Sequence, residues 1–498
     1  MVVENHARRK TEKHESHQCV DDHSHWQGHP RAGRAYAPIS KTEQTPSSLI
    51  TPTKWFEPVD GLCRLSEISG LLAANARSAA SDYHACCVST IKTIPLDCGA
   101  TLVFEPIDGV SSAGLCWLLP PGSASDPVGC DGWSAVLSEL IFRGAGDLDS
   151  RAHSDALDRL GVQRSSQVST HHLRLTATLV GRRLDEALPR LVEMITRPAL
   201  EASALEAVRS LCLQSVDSLD DDPQHLVMLR LRELQHAPPF NRHGYGQREV
   251  LQHCTIDDLR GSWARRCRPE GSILGGAGAA DPQAVAGRLN DLLAGWSGGE
   301  EGPSELGPPA RGRVHVTQDT AQMHIGMAWD APREADENSM LERLAIGVLS
   351  GGTSARLFTE VRQKRSLSYS VNASYSAGRD TGAVMLYAGT TPQRAQETLD
   401  VCAAEVQRLQ EGVTPDEFAR ATISLKSQLV MQGESTLARA AAISSDHFRI
   451  GRARTLEERA RIIDAITHDQ LNDYLRRREF GTCTVASVGS VEPAVPAA

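Results

Sequence analysis

Two stretches far apart in the chain follow one plan, and this constrains the fold more than any other feature. RRLDEALPRLVEMITRPALEASALEAV, beginning at Arg182, comes after the alternating segment HLRLTATLV (172–180). QRAQETLDVCAAEVQRLQEGVTPDEFARA, beginning at Gln393, comes after AVMLYAG (383–389). Setting Arg183 against Arg394 gives an offset of 394 − 183 = 211, and the same offset pairs Glu186 with Glu397, Leu188 with Leu399 and Ile195 with Val406. A strand–helix unit that recurs at a whole-domain period predicts a duplicated α+β domain.

The surrounding pattern agrees. ATLVFEPI (100–107) and SAGLCWLL (112–119) read as strands around a turn at Asp108-Gly109. DGWSAVLSELIFRGAG reads as a helix, because Trp133, Val136, Leu137, Leu140 and Ile141 recur at three- and four-residue spacing, with Gly144 as its stop. RLDEALPRLVEMI reads as a helix that contains Pro189. The Gly/Pro/charge-rich GGEEGPSELGPPARGR (298–313) reads as a linker. Beyond it the order returns: strands VHVTQ and QMHIGMAW, helix NSMLERLAIGVL, a Gly turn, helix SARLFTEVRQKR, then strands and a helix. The predicted fold is therefore α+β, with two homologous domains, 91–297 and 314–492, each an antiparallel-rich sheet packed with helices. Residues 1–60 read as a disordered His-rich tail, 61–90 as an extension with a short helix, and 493–498 as a second tail.

Bulk properties exclude some function classes. A net charge of −10 argues against nucleic acid or an anionic membrane surface as partner. No stretch approaches the roughly 20 apolar residues of a membrane-spanning helix. The 12 cysteines form no C-x-x-C pair and read as free thiols of a reducing compartment. The N-terminus has no apolar run of the secretory kind, so the expected location is the cytoplasm.

The most specific segment is LSGGTSARLFTEVRQKRSLSYSV (349–371). Its Gly-Gly turn, Arg356-Leu357-Phe358, Glu360-Val361-Arg362, Lys364-Arg365 and Tyr369-Ser370 closely resemble the C-terminal-half signature of the pitrilysin and mitochondrial-processing-peptidase family. Weaker resemblance runs from about Ile91 to about Val491. Active members of that family carry H-x-x-E-H on a helix of the N-terminal half. Its two histidines share one zinc ion, its Glu is the general base toward zinc-bound water, and a later helix supplies a third ligand.

The flanks locate that helix here. Family members read roughly G-L-A-H-F-L-E-H-M-L-F-K-G-T, and this chain reads GWSAVLSELIFRGA from Gly132 to Ala145. The resemblance places Ala135 at the first histidine, Ser138 at the base and Glu139 at the second histidine. Counting back from the Asp221-Asp222-Pro223 turn places Ser215 at the third ligand; 215 − 139 = 76 is the separation the resemblance implies. All four functional positions are altered. Glu139 alone makes no catalytic zinc site, which needs about three protein ligands. His171-His172 offers no rescue, since adjacent residues on the expected strand point to opposite faces.

Arg365 and Tyr369 are retained, four residues apart. In heterodimeric bacterial relatives one subunit supplies zinc and the other an Arg/Tyr pair. The resemblance therefore implies that these two bind substrate backbone in a partner's cleft; from the residues alone, an ion pair of Arg365 with Glu360 and simple packing of Tyr369 are the alternatives. The expected function is a subunit that is catalytically inactive on its own, holds no metal or other cofactor, and pairs with a zinc-bearing homologue around an extended peptide. The alternative is a structural or assembly protein that uses the fold as a packing surface. Gly351-Gly352 lacks the Lys and the strand–loop–helix context of a phosphate loop and reads as a tight turn. His14, His17, Cys19, His23, His25 and His29 crowd the tail, where incidental metal affinity is the expectation.

Overall fold

A computed structural model describes residues 90–299 and 307–494. The expectations for the N-terminal tail and extension, including its His-rich segment, lie outside the described residues, as does the middle of the linker.

The N-terminal half contains β1 (Lys92–Pro95), β2 (Thr101–Pro106), β3 (Ser112–Leu119), the short pair β4 (Gly144–Ala145) and β5 (Leu148–Asp149), β6 (Gln163–Val168), β7 (Leu173–Val180) and β8 (Ile273–Gly278). Its helices are α1 (Trp133–Leu140), α2 (Ser150–Arg159), α3 (Leu184–Thr196), α4 (Ala202–Asp217), α5 (Pro223–Gln235), α6 (Arg248–His253), α7 (Ile256–Arg266) and α8 (Pro282–Leu292). The C-terminal half contains β9 (Arg313–Thr317), β10 (Met323–Asp330), β11 (Ser368–Ala377), β12 (Gly382–Thr390) and β13 (Thr484–Gly489). Its helices are α9 (Ser339–Ser350), α10 (Ala395–Gln407), α11 (Pro415–Gly433), α12 (Thr436–Ile450), α13 (Leu456–Asp464) and α14 (His468–Arg477).

The two sheets have the same plan. The first runs β1-β2-β8-β3-β7-β6, and the second, read from its other edge, runs β9-β13-β10-β12-β11. In each, one pair is parallel (β2 with β8, β9 with β13) and the remaining neighbours are antiparallel. The offset inferred from sequence recurs in the elements themselves: 323 − 112 = 211 for β10 and β3, 395 − 184 = 211 for α10 and α3, and 484 − 273 = 211 for β13 and β8. The duplicated α+β fold is thus present in three dimensions.

Each sheet buries one face under its own helices. On the first, Leu102, Phe104, Leu115, Trp117 and Leu175 meet Val136, Leu140, Leu188 and Ile195. On the second, Ile325, Met327, Trp329 and Leu386 meet Leu344, Leu349, Leu399 and Val406. The other face of each sheet is covered from the opposite half. Ala440 and Ile443 of α12 pack on Val103, Cys116, Leu118 and Ile273 of the first sheet. Leu226, Val227 and Leu231 of α5 pack on Ala328, Tyr387, Ala486 and Val488 of the second. The helix after α4 and the helix after α11 therefore cross over reciprocally, so neither half completes its core alone. Full burial of one such Leu or Ile stabilises by about 1.5–3 kcal/mol. α12 lies so close that a Cβ on Gly275 would stand 2.3 Å from the Ala440 carbonyl oxygen, and one on Gly114 would stand 2.4 Å from the Leu437 nitrogen.

Some boundaries differ from the sequence expectation. α1 ends at Leu140 rather than near Gly144, and Gly144 instead begins β4 with φ 112°. β9 begins at Arg313, inside the expected linker. SARLFTEVRQKR is no continuous α-helix, because Phe358–Gln363 is wound as a π-helix. His171-His172 precedes β7 instead of lying in it, and both rings meet Phe448, with centroids 5.1 and 4.3 Å away. The opposite-face reading of these histidines was wrong because the turn, not strand geometry, orients them.

Candidate functional site

α1 starts at a left-handed residue, Gly132 (φ 109°), where an added Cβ would meet the Gly246 Cα at 2.7 Å. Gly132 offers no side-chain cap, so the cap comes from Asp126 in the preceding loop. Its carboxylate accepts from the Gly132 and Ser134 backbone nitrogens at 2.9 and 3.0 Å and from the Ser134 hydroxyl at 2.6 Å. Arg266 of α7 donates to Asp126 and to Ser134 Oγ, both at 2.9 Å. Burial pushes the Asp126 carboxyl above the usual range, while Arg266 and the amide donors pull it back. A buried ion pair thus fixes the start of α1 and the rotation of its faces.

Three of the sequence-predicted positions, Ala135, Ser138 and Glu139, lie on α1 and the fourth, Ser215, lies on α4, and the two helices pack against each other. Ala135 brings no donor atom. The Ser138 hydroxyl donates to the Ala135 carbonyl at 2.8 Å, and the Ser138 carbonyl accepts from Ser166 of β6 at 3.0 Å. Glu139 faces α4 closely enough that, after burial, its charge is the next cause pushing the Cys212 thiol up to about 12. Ser215 is exposed and donates to the Leu211 carbonyl at 3.0 Å. One carboxylate, one methyl group and two hydroxyls engaged with their own helices do not fit a catalytic zinc ion.

The C-terminal motif is built differently. Arg356 anchors it: its guanidinium donates to both Glu417 oxygens at 2.7 and 3.0 Å and to the Gly412 carbonyl at 2.8 Å. Leu357, Val361 and Leu367 are buried in the second core. The π-turn closes with the Lys364 N–H on the Thr359 carbonyl at 2.9 Å, a five-residue step of the kind that recurs at functional sites. Arg365 then donates to the Glu360 carboxylate and carbonyl, both at 2.8 Å, so the ion pair allowed by the sequence is formed. The packing alternative for Tyr369 fails. The β11–β12 register shifts between Ser368 and Ser370, and the intervening Tyr369 is lifted out, 83% exposed. The Arg362 guanidinium lies over the Tyr369 and Phe358 rings, 4.8 and 4.9 Å from their centroids. Sequence reasoning gave Arg362 and Phe358 no role, although their four-residue spacing on a helix was the available signal.

Two family profiles match the chain. "Insulinase (Peptidase family M16)" covers 105–243 and "Peptidase M16 inactive domain" covers 253–425, which is 139 and 173 residues, together 312 of 498. The chain belongs to peptidase family M16. Among its M16 relatives, an uncharacterized zinc protease of Mycobacterium tuberculosis is 25% identical over 405 residues, 79% of this chain and 92% of the relative. Another from Streptomyces coelicolor is 26% identical over 411 residues, 78% and 88% of the two chains. A peptidase M16 inactive domain from Pseudomonas fluorescens superposes with a TM-score of 0.73 at 18% identity, covering 82% of this chain and all of its own. A protease from Helicobacter pylori gives 0.72 at 16%, covering 80% and 100%. These similarities agree with the duplicated sheet–helix architecture. No helix among the described residues is long and apolar enough to cross a membrane.

Proposed function

We propose that this M16 chain is a non-catalytic subunit that pairs with a zinc-bearing homologue and presents Arg365 and Tyr369 to an extended peptide. The exposed Tyr369, held above its strand by a bulge and stacked on Arg362, carries the reading. A phenol and a guanidinium placed beside a strand edge suit a substrate that adds as a further strand, because both donate to backbone carbonyls. The α1–α4 pair, with Ala135, Ser138, Glu139 and Ser215, supports the other half of the proposal. It has no carboxylate at the base position and too few ligands to lower the pKa of a bound water. Zinc chemistry then belongs to the partner.

The test is a reconstitution. The purified full chain is assayed on an unfolded peptide alone, with an M16 homologue that carries H-x-x-E-H, and with chelator, while bound zinc is measured by atomic emission. The proposal expects no stoichiometric zinc on this chain, no cleavage alone, and chelator-sensitive cleavage by the pair that Arg365→Ala weakens. Cleavage by the chain alone sinks it. Stable association without effect on cleavage would favour a structural subunit instead.

A further inference from the structure

A cavity of about 160 Å3 lies where the two halves meet, away from α1 and from the π-turn. Four arginines line it: Arg174 from β7, Arg232 from α5, Arg379 from the β11–β12 turn and Arg449 from the last turn of α12. Two come from each half. None of the four forms an ion pair with a carboxylate among the described residues. Arg232 donates to Thr170 and to the Phe240 carbonyl, and Arg379 stacks 5.4 Å over the Phe448 ring. The Nε atoms of Arg174 and Arg232 are buried without a hydrogen-bond partner.

Two of the acids nearby are already paired with other arginines, and a third, Asp380, stands 3.6 Å from His171, whose proton affinity burial lowers. Glu334 is held by Arg343 and Arg454, and Asp446 by Arg454 and Arg459. The lining histidines add no negative charge; burial and the neighbouring cations push His172 down to about 3 and His236 to about 4. Arg174, Arg232 and Arg449 are half-buried and Arg379 is exposed at the mouth. Gathering like charges without paired counter-ions is costly, and guanidinium forks match the oxygens of phosphate or carboxylate groups.

We propose that this cavity is a binding site for a small multivalent oxyanion of the phosphate class, which neutralises the four arginines and latches the two halves together. A space of about 160 Å3 admits a phosphate or a pyrophosphate.

The test titrates the full chain with inorganic phosphate, then pyrophosphate, against sodium chloride of matched ionic strength, reading melting temperature and heat of binding. A saturable rise in melting temperature with phosphate, tighter for pyrophosphate and absent with chloride, is expected. Arg379→Met and Arg449→Met should each weaken phosphate binding at least about tenfold and leave the phosphate-free melting temperature close to that of the native chain, because neither side chain forms an ion pair and Arg379 is exposed. Equal responses to phosphate and chloride, or unchanged affinity in both variants, overturn the proposal. Should a variant fail to fold, broadening of the phosphate phosphorus resonance by the native chain reads the same site, and no broadening at millimolar phosphate overturns it.

Discussion

Glu105 of β2 and Arg439 of α12, 334 residues apart, meet in a two-pronged ion pair in which Arg439 Nε donates to Glu105 Oε2 at 2.8 Å. The carboxylate is 3% and the guanidinium 13% exposed, so the pair sits inside the junction made by the crossing helix. Glu105→Gln leaves a buried guanidinium without its counter-charge. A loss of about 3–5 kcal/mol in chemical unfolding is expected. Because both halves share the junction, they should unfold in one transition in the native chain; separate transitions for the halves would contradict the shared core.

Gly275 tests the same junction sterically. Gly275→Ala places a methyl 2.3 Å from the Ala440 carbonyl and forces α12 to move, at a cost of about 1–3 kcal/mol. The residue at the same position of the second half, 275 + 211 = 486, is already alanine and is buried beside α5. Ala486→Gly should therefore destabilise only by the smaller cost of a lost methyl and a looser strand. Denaturant midpoints of both variants check the asymmetry.

Tyr369→Phe and Arg365→Ala separate function from stability. Tyr369 is 83% exposed, so its phenylalanine variant should melt within about 0.5 kcal/mol of the native chain. In the reconstituted pair each change should cost about 2–4 kcal/mol of transition-state binding, read as kcat/KM. Arg362→Ala frees the Tyr369 ring and should lower activity less than either. Unaltered kcat/KM in both direct variants would remove them from the substrate site.

His172 supplies a pH test. Burial, then the neighbouring His171, Arg174 and Arg379, hold its pKa near 3 instead of 6.5. The unfolded chain therefore takes up this proton first as pH falls. Stability from the neutral ring is complete above pH 6.5 and is lost progressively toward pH 3. His172→Leu should flatten the stability profile across that window, as measured by urea unfolding at stepped pH.

Glu417 behaves alike for a different reason. Hydrogen bonds from Arg356 bring its pKa from 4.5 to about 2, against the opposing effect of burial. Its contribution is present above pH 4.5 and disappears as pH drops toward 2. Glu417→Gln should remove that acid-limb loss and loosen the Arg356 anchor of the C-terminal motif, visible as faster amide exchange in residues 356–367.

The sequence by itself determined the duplication. Alternation marked β7, the turn at Asp108-Gly109 bounded β3, three- and four-residue spacing marked α1, and one offset of 211 tied the halves together, because these signals are local in the chain or periodic. That Ala135 carries no donor atom was equally legible, since a missing atom needs no geometry to recognise. Tertiary structure alone decided that α5 and α12 trade sheets, because an amphipathic helix records which face it buries and not against which sheet. It decided that Tyr369 bulges out of the β11–β12 ladder and that Arg365 rests on Glu360, because a bulge and a π-turn are one-residue adjustments without a periodic signature. It also gathered Arg174, Arg232, Arg379 and Arg449 around one cavity, since charges that are scattered along the chain become neighbours only when both halves close.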